Sequence, residues 1–206
     1  MLMRHFLTFI IVIVVLLSCN STDTSNTNES IKVTVIDTMQ LARQKAFAKQ
    51  ASLLNLKPIN QSVDSFEIRI WVSSVFVEND LIILKYDDSS WQTQKIRYYE
   101  SEDGVLHSKN EKIVKPNIDF PLLIDSLRAM QLDKLISQKQ IPNFIDNVAD
   151  GVTYDLEIAT KDNYKLLTYH CPEYFGKSEV NNKKFVDFIK LMDRYYHFWL
   201  PIFDSK

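Results

Sequence analysis

His170 and Cys171 are neighbours in the chain. A thiol beside an imidazole is the pairing that a cysteine nucleophile and its general base require. On a regular strand, adjacent side chains leave opposite faces of the sheet, so these two meet only if the strand breaks before Pro172. Otherwise Cys171 is expected to be a small buried hydrophobe, and a catalytic cysteine would need His107 or His197 brought to it. Carboxylates are the second chemical group: Asp146, Asp150, Asp155 and Glu157 lie close together. Asp155 and Glu157 share one strand face, roughly 7 Å apart, and with His170 could serve a small carboxylate- or metal-dependent hydrolase. The segment lacks the spacing of a calcium loop, and carboxylates on a strand most often form a solvated face. His107, His170 and His197 stand apart with no paired spacing, so no metal site is expected, and no Gly-rich motif calls for a cofactor.

Aromatic side chains are the third group, at 12% of the chain. Arg69 and Trp71 alternate with Phe66, Ile68 and Ile70, which puts them on the opposite face of one strand. If that face is uncovered, Arg69, Trp71, Trp91 and Tyr99 would form an exposed platform for a protein, peptide or glycan ligand. If helices cover both faces, Trp71 belongs to the core.

The elements that position these residues follow from periodicity. Residues 38–54 are helix-forming, and 31–36 alternate either as an edge strand or as the start of that helix. Period-two stretches predict strands at 66–72, 81–86, 91–99 and within 105–114, with Asn79-Asp80 read as a break after the first. A helix is expected from Phe120, with Asp119 as N-cap, Pro121 in the first turn, and Leu123, Leu127 and Met130 as its apolar stripe. Asp150-Gly151 opens a strand whose Val152, Tyr154, Leu156 and Ile158 face one way. Lys161-Asp162-Asn163 then turns into a last strand, 164–171. Phe185, Phe188, Ile189, Met192, Tyr196 and Trp199 have helical spacing, with Lys184, Asp187, Lys190 and Arg194 opposite. The expected fold is α+β, an antiparallel sheet of about six strands in the order α-β-β-β-β-α-β-β-α, with the helices on one face.

Location is read from the other end of the chain. Arg4 precedes an apolar stretch over residues 6–17 that only Thr8 interrupts. As a helix this stretch is roughly 18 Å long, short of the roughly 30 Å bilayer core, which is the layout of a signal peptide rather than a span. It ends in Leu16-Leu17-Ser18-Cys19, which resembles the bacterial lipoprotein lipobox. The resemblance implies cleavage after Ser18, lipid on Cys19, and attachment to a membrane through that lipid. Asn20, where Asp would signal inner-membrane retention, favours the outer membrane. Residues 20–30 contain no apolar side chain and are expected to act as a polar tether. The expected organisation is therefore a signal peptide at 1–18, an acylated tether at 19–30 and one α+β domain at 31–206.

With 24 basic against 26 acidic residues, nucleic acid is not an expected partner. Beyond Cys19 only Cys171 remains, so the domain has no internal disulfide and its stability must come from its core. The residues at 66–71, Trp91, 150–158, 169–172 and the aromatic last helix together resemble exported envelope lipoproteins of Gram-negative bacteria. That resemblance carries no defined activity and brings over no catalytic residue. The expected function is a membrane-anchored binding or interaction module, with the hydrolase as the alternative.

Overall fold

The computed structural model describes residues 27–62, 66–74, 78–87, 90–101, 103–115, 117–177 and 179–196. Cys19, residues 20–26 of the expected tether, His197 and Trp199 lie outside them, and residues 27–30, expected to be part of that tether, are helical. By its contacts the chain divides between Met39 and Gln40, and the side-chain contacts and cavity described below belong to the unit from Gln40 onward.

A long helix, α1 (Thr27–Leu53), precedes a single turn, α2 (Ile59–Ser62). Residues 31–36, one reading of which was a strand, are helical: flanking helix-forming residues outweigh the β preference of a short Ile/Val/Thr run. Four strands follow as a meander: β1 (Phe66–Ser74), β2 (Asn79–Asp87), β3 (Ser90–Glu100) and β4 (Leu106–Ile113). Then come α3 (Phe120–Met130), two 3₁₀ turns (Leu132–Lys134 and Gln138–Gln140), β5 (Val152–Thr160), β6 (Tyr164–His170), the single turn α4 (Pro172–Phe175) and α5 (Val180–Tyr196). The six strands form one antiparallel sheet in the order β4-β3-β2-β1-β5-β6, so the fold is α+β as expected.

Helices cover both faces of this sheet, not one. Ile68, Ile70, Val72, Ile82, Leu84, Tyr154, Leu156, Leu167 and Tyr169 form the first face, under α3 and α5. Phe185 of α5 stacks on Tyr169 with ring centroids 4.0 Å apart and meets Tyr154 edge-on. Phe188, Ile189, Met192 and Tyr196 continue that stripe, each burial contributing about 1.5–3 kcal/mol. The second face carries Trp71, Leu81, Ile83, Ile96, Tyr98 and Leu166, and is covered by Phe47 and Ala51 of α1 and by Leu54 just past its end. β1 is thus apolar on one side yet buried on both, which alternation alone does not reveal.

Asn79-Asp80 does not break the meander but begins β2. The Asp80 carboxylate accepts from Arg97 Nε at 3.0 Å and lies 3.1 Å from Lys95 Nζ, so a charge that suggested a turn is neutralised across the ladder. Asp119 occupies the N-cap of α3, but its side chain makes no capping bond there. At the outer edge, β6 is closed by side chains imitating a further strand. The Gln138 amide donates to His170 O at 3.0 Å and accepts from His170 N at 2.8 Å, while Thr168 N donates to Ser137 Oγ. β4 at the other edge is exposed along its length and bears Lys109, Glu111 and Lys112, charges that discourage a further strand.

Candidate functional site

The four residues of the expected aromatic platform do not share a surface. Arg69 and Trp71 are 2% and 3% exposed, on the second face beneath α1. Trp91 lies half-buried on the first face, and Tyr99 is 51% exposed farther along β3. The platform fails because α1 supplies a second cover, with Phe47 stacked on Trp71 at 5.2 Å.

What lies under α1 instead is a layer of paired charges. Arg69 Nε donates to Glu67 Oε1 at 2.6 Å, and its Nη2 donates to the Lys57 carbonyl at 2.8 Å. Glu157, opposite Arg69 in the β1–β5 register, accepts from Trp71 Nε1 at 2.7 Å and from the Tyr164 hydroxyl at 2.9 Å. Asp155 accepts from Arg43 Nη2 at 2.8 Å and from Thr168 Oγ1 at 2.6 Å. Burial pushes the Asp155 and Glu157 carboxyls above the ordinary range, and the hydrogen bonds and cations beside them pull back only part of it. Both carboxylates therefore face the second side of the sheet, as the alternation implied, but they are buried rather than solvated. Each is held by structural partners. Asp146 and Asp150 lie elsewhere, on the exposed connection before β5.

The strand break that His170 and Cys171 needed does occur. β6 ends at His170, and Cys171 turns with φ 44° and ψ 51°, a left-handed conformation uncommon for a side-chain-bearing residue. That turn brings Cys171 Sγ to 3.7 Å from His170 Nε2, while His170 Nδ1 lies 3.0 Å from Thr153 Oγ1. The residues meet, but burial raises the thiol pKa and Glu173 and Asp146 reinforce the rise, the opposite of what an activated thiolate needs. Gly151 matters here by close approach: a Cβ at that position would lie 2.0 Å from Cys171 Sγ. Among the described residues no group of three or more His, Cys, Asp or Glu side chains is placed to hold a metal ion.

Among the described residues a concave feature lies on the first face, between α3 and one end of the sheet. It is a cavity of about 960 Å³ whose walls include Phe66, Tyr86, Trp91, Phe120, Ile124 and Ile158. Trp91 stacks on Phe120 with centroids 5.1 Å apart and planes 9° from parallel, and both Phe66 and Tyr86 contact the indole. Leu127 and Leu132 extend the apolar lining, while Asp125, Arg128, Asp133, Thr160, Asn163 and Lys165 supply its polar part. A cavity of this volume with a mostly apolar wall and a few polar groups is the usual form of a small-molecule site. Of its residues only Trp91 was a sequence candidate. Phe66 and Ile158 had been placed on the core face, where residues near a strand end can line an opening as readily as fill a core.

No family model and no curated protein sequence matches the chain.

Proposed function

We propose that this chain is an envelope lipoprotein held to a membrane by a lipid on Cys19, whose domain binds a small apolar ligand in the cavity beneath α3. The observation that carries the binding role is that cavity, with four aromatic rings in contact along one wall and polar groups around the rest. The anchoring role rests on the lipobox at residues 16–19 and the short apolar stretch before it. The hydrolase alternative has less support, because Asp155 and Glu157 are engaged by Arg43, Thr168, Trp71 and Tyr164 rather than facing a cleft.

Binding is tested with an environment-sensitive naphthalene dye added to the chain with and without Ile124→Trp. Ile124 is half-buried on the cavity wall, so an indole there occupies ligand space without removing a buried charge. Dye enhancement that Ile124→Trp abolishes is the expected result, and enhancement indifferent to it refutes the site. For the anchor, cells fed labelled fatty acid should label the chain, and Cys19→Ala should remove the label. Undiminished labelling in that variant would exclude Cys19 as the attachment point.

A further inference from the structure

The cavity has two chemically different ends, and they define what fits between them. Across the sheet, Trp91 pairs with Tyr86, Tyr86 with Phe66, and Phe66 with Thr160, so these residues lie in one row. At about 4.8 Å per strand the row covers roughly 14 Å, and β6 with Lys165 lies one strand beyond it. Aromatic rings from Phe66, Tyr86, Trp91 and Phe120 gather at the β3 end. Thr160, Asn163 and Lys165 line the β5–β6 hairpin end, and the aliphatic Ile68, Ile158 and Leu132 also line the cavity.

Lys165 is the half-buried cation of this lining. Its ammonium donates to the Asp133 carbonyl, which engages one of three N–H bonds. Burial lowers its pKa, and the nearby Asp133 charge offsets only part of that, so an anion placed here would stabilise the charged form. Arg128 and Asp125, 3.6 Å apart and both largely exposed, form a weak pair that leaves the guanidinium open to exchange. A cationic head would be repelled at Lys165, and a neutral head would leave the ammonium as poorly compensated as before.

We propose that the ligand is a long-chain fatty acid, its chain lying along the aliphatic wall toward Trp91 and its carboxylate on Lys165. The inference rests on reading the cavity as a ligand site, and the experiment separates the two. In the full chain carrying Cys19→Ala, a dansyl-labelled undecanoic acid is displaced by palmitate, by cetyl alcohol or by lysophosphatidylcholine. Uptake by the apolar N-terminal stretch is common to every variant and cancels.

Palmitate should displace the probe at concentrations on the order of 10-fold below the alcohol, the effect of one charge-assisted hydrogen bond. Lys165→Met should remove that preference by bringing palmitate to the level of the alcohol, Lys165→Arg should keep it, and Ile124→Trp should reduce binding of both to the level set by the N-terminal stretch. Equal binding of acid and alcohol, or a preference that survives Lys165→Met, overturns the fatty acid but leaves the cavity standing. Stronger displacement by lysophosphatidylcholine overturns it in favour of a phospholipid. Probe binding that is absent, or unaffected by Ile124→Trp, overturns the cavity reading itself.

Discussion

Replacing Arg69 with Met is the sharpest test of the charged layer under α1. Arg69 and Glu67 are each 2% exposed and Glu157 is 3% exposed, so removing the guanidinium takes a cation away from two buried carboxylates. Breaking one side of a buried ion pair costs about 3–5 kcal/mol, because the remaining charge loses the guanidinium while staying desolvated. Met fills much of the volume of the arginine stem, so little of this loss comes from a cavity. The deficit should depend on pH. Burial already holds the Glu157 carboxyl above its ordinary range and Arg69 pulls it back, so without Arg69 it rises further and the folded state then binds more protons. A group with a raised folded pKa destabilises the fold above that pKa, and the loss shrinks as pH falls toward the unfolded value. Where one extra proton is bound by the folded state, the slope is about 1.4 kcal/mol per pH unit. Urea unfolding of both proteins at pH 7.5 and pH 5 measures the difference. Arg69→Met should be several kcal/mol weaker at pH 7.5 and recover part of that at pH 5, and adding Glu67→Gln should reduce the loss at the higher pH. A deficit below about 1 kcal/mol, or one equal at both pH values, would show that these charges are solvated and refute the argument.

Two further perturbations report on the parts of the fold around His170. Gly151→Ala would drive a methyl into Cys171 Sγ, 2.0 Å from the built Cβ, so the melting temperature should fall sharply. Removing the sulfur with Cys171→Ala should restore part of it, and a double variant no more stable than Gly151→Ala would disprove the clash. Gln138→Ala strips both partners from the His170 peptide group and the bond to Asn182 Oδ1, predicting a loss of about 1–3 kcal/mol in urea unfolding and faster amide exchange at His170. Unchanged exchange there would mean that the edge of β6 is not closed by this side chain.

How much of this was legible depends on what each signal encodes. Alternation in residues 66–72 and 152–158 gave strand and face, because period two is a property of the backbone. The apolar stripe of α5 gave its buried side for the same reason. The number of layers is not encoded that way. Glu67, Arg69 and Trp71 look like a solvent face by polarity, and only the cover supplied by α1, more than a dozen residues upstream, makes them interior. Their pairing is a tertiary fact: Glu157 reaches Trp71 across 86 positions and Arg43 reaches Asp155 across 112. The contact between His170 and Cys171 was legible as a condition, a strand break before Pro172, and the left-handed turn at Cys171 meets it. The cavity was not legible, since incomplete packing between α3 and the sheet end leaves no pattern in the residues that line it.

The two faces of the sheet divide the work of the domain. On the second face, α1 is fixed by directional contacts: Arg43 on Asp155 and Phe47 on Trp71, above buried groups that tolerate little displacement once their partners are lost. Buried charges of this kind add little net stability, but they penalise any misaligned docking of the helix. On the first face, α5 packs closely through stacked rings, whereas α3 buries Leu123 and Leu127 and leaves Phe120 and Ile124 lining space. An opening that admits a ligand is better placed under α3 than under α1, because among the described residues separating α3 from the sheet end exposes no buried ion pair.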